Sequence, residues 1–148
     1  MPAYTVTATD TVNANVTMVG ITAATTRRGR IYELWISSAN SPPADQTADY
    51  SLKRYTAAGT STPFTPNPTD PAEPAALLSA GYNHSVEPTY TANSDLLRIA
   101  VHQKFTMRWY GAPGREFVIP AASGNGIGLL INSASTPFPG LFTIHFCE

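Results

Sequence analysis

The sequence predicts an all-β protein, an antiparallel two-sheet sandwich of jelly-roll type with about eight strands and one short helix in a long proline-rich loop. Three observations carry that expectation. Short segments of alternating apolar and polar residues recur along the chain, the period of a pleated strand with one buried face. Thirteen prolines are spread over 148 residues, which leaves little room for long helices. Charged residues make up only 13%, against roughly 25% in typical soluble domains, so Thr, Ser, Asn and backbone must supply much of the surface.

The organising stretch runs from Leu96 to Ile131. Leu97, Ile99 and Val101 alternate with Arg98, Ala100 and His102; Phe105, Met107 and Trp109 alternate with Thr106, Arg108 and Tyr110. Ala112-Pro113-Gly114 marks a turn, Phe117-Val118-Ile119 a short strand ended by Pro120, and the glycine-rich SGNGIG leads into Leu129-Leu130-Ile131. Upstream, Tyr4 to Ala8 and Val12 to Ala24 have the Thr, Val and Ile content of half-buried strands. Thr25 to Arg30 is a polar turn carrying Arg27, Arg28 and Arg30. Those arginines could meet a phosphate or an acidic partner surface, but three arginines flanking a glycine turn are more often a solvated loop, since the rest of the chain lacks a basic stripe. Arg30 to Ser38 is the strongest strand of the first half, with Tyr32, Leu34 and Ile36 expected on the core face and Ile31, Glu33 and Trp35 opposite.

Ala39 to Ala48 reads as a loop and Asp49 to Thr56 as a strand, before Ala57 to Ser61 turns the chain. Between Pro63 and Tyr90 the texture changes, and Pro63, Pro66, Pro68, Pro71 and Pro74 forbid a regular central strand. Asp70-Pro71-Ala72-Glu73 has the form of a helix start, an Asp cap with Pro first and Glu third, continuing over Ala75 to Ala80 until Gly81. Leu141 to Glu148 is the last strand, with Phe142, Ile144 and Phe146 on one face. The whole chain is expected to form one domain, 1–148, in which 1–24 can serve as an N-terminal arm or strand used in assembly. The expected core comprises Leu34, Ile36, Leu97, Ile99, Val101, Trp109, Val118, Leu129, Ile144 and Phe146.

A formal net charge of −1 and a pI near 6.3 argue against a nucleic-acid partner. No apolar run approaches the length of a membrane span, and the N-terminus has neither the basic nor the apolar segment of a secretory signal. Cys147 is the single cysteine, which rules out an intrachain disulfide framework and reads as a small hydrophobe on the last strand. His84, His102 and His145 are scattered without HxH or HxxxH spacing, so no metal site and no cofactor is expected. No serine sits in a nucleophile elbow, the glycine runs lack the Lys-Ser/Thr of a phosphate loop, and no paired carboxylates emerge; no catalytic residue is assigned. Trp35, Tyr82 and Tyr90 would have to stand exposed together to form a carbohydrate or receptor platform, the alternative function for a phage fibre or tail module.

From Leu78 onward the sequence resembles small structural proteins of tailed phages and prophages. The resemblance is carried by LSAGYNHS, Glu87-Pro88-Thr89-Tyr90, the Gln103 to Trp109 segment, Pro113-Gly114, Ile119-Pro120-Ala121 and Asn125-Gly126-Ile127-Gly128. In size and character the chain is similar to the β-sandwich decoration, or cement, proteins of phage capsids. That resemblance implies a non-enzymatic virion protein, made in the host cytoplasm and seated on the capsid surface. Its implied partners are the major capsid protein and itself, as a homotrimer. The resemblance transfers no catalytic residue.

Two segments are expected to meet these partners. Tyr4 and Val6 lie on a terminal strand suited to a neighbour's sheet edge. Leu77, Leu78, Tyr82 and Tyr90 are apolar groups within the proline-stiffened excursion, with Arg27, Arg28 and Arg30 at a salt-sensitive rim. On this reading, deleting residues 1–10 or replacing Leu77 and Leu78 with Ser weakens assembly and leaves the sandwich folded.

Overall fold

The structure, a computed structural model, describes residues 1–39 and 43–148. Part of the loop expected at Ala39 to Ala48 therefore lies outside the described residues. Among the described residues twelve strands form two six-stranded antiparallel sheets. The first sheet contains β1 (Ala3–Val12), β3 (Gly29–Ser38), β6 (Asn67–Pro68), β9 (Met107–Tyr110), β10 (Phe117–Ile119) and β12 (Phe138–Cys147). Its order is β10-β3-β12-β1-β6, with β9 sharing the outer edge of β3 with β10. The second contains β2 (Val16–Thr22), β4 (Thr47–Ala57), β5 (Thr60–Phe64), β7 (Ser79–Val86), β8 (Thr89–His102) and β11 (Gly126–Ser133), in the order β5-β7-β2-β11-β4-β8.

This corrects the expected jelly roll of about eight strands with one helix. Neither sheet closes on itself, and no helix occurs among the described residues. The missed strands are short ones inside the proline-rich excursion, where a two- to eight-residue ladder leaves little periodicity to read. Pro63 and Pro68 sit in β5 and β6, each the last strand of its sheet, where a missing N–H breaks no central ladder and discourages edge pairing. The helix start is a single turn: Ala72 N–H donates to Asp70 Oδ1 at 2.9 Å and Glu73 N–H to the Asp70 carbonyl at 3.0 Å. Residue 74 should then supply the first helical N–H to Asp70, but Pro74 has none, so the turn cannot propagate.

Between the sheets lie Val6, Val12, Met18, Ile21, Leu52, Ile127, Phe142 and their buried neighbours. Of the expected core, Leu34, Ile36, Val101, Leu129, Ile144 and Phe146 are buried. Leu97, Ile99 and Trp109 face the core but are half-buried, because β8 and β9 are edge strands open along one flank. Val118 is also half-buried, and its neighbour Ile119 takes the buried place, opposite Gly29. On β3 the ladder to β12 skips Tyr32, joining Ile31 to Phe146 and Glu33 to His145. That bulge turns Ile31 inward and leaves Tyr32 on the outer face beside His145, reversing the expectation for those two residues. Phe105 belongs to a turn before β9, with its N–H donated to the His102 carbonyl at 3.0 Å, and is 69% exposed.

The glycines of SGNGIG do more than turn the chain. Gly124 has φ 78° and makes the turn, but Gly126 and Gly128 lie in β11, on the face opposite core residues Ile127 and Leu129. They form a floor for two tyrosines on the outer face of the second sheet. A Cβ at Gly126 would stand 2.2 Å from Tyr55 Cζ. The Tyr55 and Tyr90 rings meet edge to face at 6.0 Å, and their hydroxyls bond to Thr22 Oγ1 (2.8 Å) and Thr17 Oγ1 (2.7 Å). Burial pushes the Tyr55 phenol up to about 12, although the ring lies outside the main core.

Candidate functional site

One end of the sandwich brings together the start of β1, the arginine turn before β3, the excursion before β7 and the residue after β12. There Pro2, Tyr4, Arg27, Pro74, Ala75, Leu77 and Glu148 line a cleft of about 170 Å³. The cleft follows from a set of clamps. Glu148 accepts the N–H groups of Leu77 (2.7 Å to Oε1) and Leu78 (2.9 Å to Oε2), and its own N–H bonds the Pro2 carbonyl at 3.2 Å. Tyr4 donates its hydroxyl to the Pro74 carbonyl at 3.1 Å, and Thr69 N–H reaches the Ala3 carbonyl at 2.8 Å. The excursion is thus tied down along the end of the first sheet. Two successive N–H groups held by one carboxylate set neighbouring side chains in opposite directions: Leu78 is buried and Leu77 is 55% exposed.

The nine residues expected at an interface separate clearly. Tyr4, Arg27 and Leu77 meet in this cleft, although they are far apart in sequence. Val6 and Leu78 do not: both are buried in the core, Leu78 above Gly29, where a Cβ would stand 2.3 Å from Leu78 Cδ2. Tyr82 is half-buried against Phe64 at the β5–β7 edge, and Tyr90 rests on the glycine floor. Arg28 is exposed next to Arg27, and among the described residues neither makes an ion pair. Arg30 is drawn away towards Glu116 at 3.8 Å. The segment 1–24 is not a free arm, since β1 lies between β12 and β6 and β2 lies between β7 and β11.

The sequence reading assigned no site role to Pro2, Pro74, Ala75 or Glu148. No local pattern marks them, because the cleft exists only when four distant segments converge.

A second cluster lies on the outer face of the first sheet. Arg108 lies over the Trp35 ring, with its guanidinium carbon 4.9 Å from the ring centre, and within 5.7 Å of the centre of Tyr110. Glu33 accepts from Arg108 Nε and, at 2.9 Å, from Trp35 Nε1. Alternation had placed Glu33 and Trp35 on one face and Arg108 and Tyr110 on another; the antiparallel pairing of β3 with β9 makes those two faces one. Trp35, Tyr82 and Tyr90, which the alternative carbohydrate platform would need side by side, do not form one cluster: Trp35 packs with Arg108, Tyr82 with Phe64 and Tyr90 with Tyr55. Among the described residues no group of three or more His, Cys, Asp or Glu could hold a metal ion. No family model, no curated protein and no solved structure matches this chain.

Proposed function

We propose that this chain is a non-enzymatic virion structural protein, a decoration protein that seats on the capsid of a tailed phage as a homotrimer and bridges capsomers. Its partners on this reading are the major capsid protein and other copies of itself. The observation that carries it is the apolar cleft where Tyr4, Arg27 and Leu77 converge, with Arg27 exposed and, among the described residues, without an ion pair. A concave apolar patch bordered by one charge of each sign, Arg27 and Glu148, suits a contact with a protein partner, and many such contacts around a shell add through multivalency. The resemblance of the second half to phage structural proteins points the same way.

Burial counts against the carbohydrate-platform alternative. Tyr90 is turned onto Gly128, Tyr82 packs on Phe64, and the Trp35 ring already carries Arg108. The decoration reading is tested by counting copies of the chain in purified particles by quantitative mass spectrometry. Hundreds of copies per particle are expected; absence, or a handful at the tail, overturns it.

A further inference from the structure

We infer that copies of this chain join head to tail, with Phe105 of one copy entering the Pro2–Tyr4–Pro74–Leu77 cleft of the next; the inference rests on the self-assembly part of the reading above. Four observations support it. The cleft is about 170 Å³ and largely apolar, close to the roughly 150 Å³ of a dry cavity known to hold a benzene ring. Phe105 is an exposed phenyl group held out by a hydrogen-bonded turn rather than by a loose loop, so little ordering cost attends its burial.

The charges beside the two features are complementary. Phe105 is flanked by Lys104 and by Asp45, whose carboxylate lies 2.7 Å from His102 Nε2 and 3.7 Å from Lys104 Nζ. Arg27 and Glu148 stand at the cleft, so Asp45 can meet Arg27 and Lys104 can meet Glu148. The two features also sit at opposite ends of β3. Cys147, next to Glu148, pairs with Arg30, whereas Met107, two residues after Phe105, pairs with Ile36. A knob at one end and a hole at the other make a heterologous contact, which leaves one of each free until the copies close into a ring. Other exposed apolar groups fit less well. Met1 precedes Pro2, which lines the cleft of its own copy, and Tyr110 lies beside Arg108 on the sheet face.

Sedimentation equilibrium on the purified chain, without shells, tests the contact. The wild type should form a closed oligomer whose population rises with concentration. Phe105→Ser and Leu77→Ser, made on opposite sides of the contact, should each weaken association by about thirtyfold or more while melting as the wild type does. Mixing the two variants should yield a one-to-one pair, in which the intact knob of Leu77→Ser fills the intact cleft of Phe105→Ser. Arg27→Glu should weaken association about two- to fivefold, and adding Asp45→Arg should restore it. A monomeric wild type, or a Phe105→Ser chain that assembles as the wild type does, overturns the contact. A ring that forms yet fails to bind purified shells leaves the contact standing and sinks the decoration reading instead.

Discussion

The hydroxyl oxygen of Tyr90 lies over Gly128, where a Cβ would stand only 2.4 Å from it. The phenol can bond to Thr17 Oγ1 and lie across β11 only because that strand lacks a side chain there. Gly128→Ala should therefore cost about 1–3 kcal/mol through overpacking. Urea denaturation checks this, and the cost should shrink when Tyr90→Leu is made in the same chain, since the two sites share one contact. Wild-type stability in Gly128→Ala alone would show that the ring is not held on this floor.

Ile144 and Ile99 separate a core strand from an edge strand. Ile144 is fully buried on β12, flanked by β1 and β3, and Ile144→Ala should cost about 2–5 kcal/mol. Ile99 faces the same core from β8, which has a partner on one side only, so Ile99→Ala should cost less. Denaturant midpoints of the two variants check the order, and an equal loss in both would mean that β8 is covered on its free flank.

Truncation should unfold the protein rather than free a docked arm. Residues 3–10 pair with β12 along their whole length, and Tyr4 stacks on Phe146 at 5.5 Å. Removing residues 1–10 should abolish the cooperative melting transition seen by circular dichroism. The same measurement should rank Leu78→Ser as strongly destabilising and Leu77→Ser as close to wild type, in line with their opposite exposures.

His84 should make stability fall in mild acid. Its Nδ1 lies 3.1 Å from the Thr17 carbonyl while Glu87 accepts the Thr17 N–H at 2.9 Å, a pair of side chains that satisfies β2 beyond the reach of β7. Burial holds the imidazole below its ordinary value of 6.5, partly opposed by the Thr17 hydrogen bond and by Glu87 and Asp10. The folded state thus prefers neutral His84. That contribution is fully present above 6.5 and is lost as the pH falls through the lower folded value. Urea midpoints measured in steps from neutral pH downward should show the slope, and His84→Gln should flatten it over that window.

Cys147 should react slowly while the chain is folded. Burial, then the nearby Glu116, pushes its thiol up, and the sulfur lies 3.8 Å from the Arg30 carbonyl. A thiol-specific chromogenic reagent should label it far more slowly in buffer than in denaturant. Equal rates would mean that the end of β12 frays readily.

Read by itself, the chain determined the β class, the inward faces of β8, β11 and β12, and the places where strands must stop. These are local properties. Alternation has a period of two whatever the strand pairs with, and Pro74 lacks an N–H in any fold. Tertiary structure alone decided which sheet each strand joins, since β1 pairs with β12 across almost the full length of the chain and consecutive strands often cross to the other sheet. It also decided the bulge at Tyr32, because skipping one residue on β3 has meaning only against the register of β12. Gly126 and Gly128 read as turn residues until Tyr55 and Tyr90, from distant strands, are laid over them. The cleft is the extreme case: Pro2, Arg27, Ala75 and Glu148 carry no shared local pattern, and only the pairing of β3, β12, β1 and β6 in the first sheet brings them to one place.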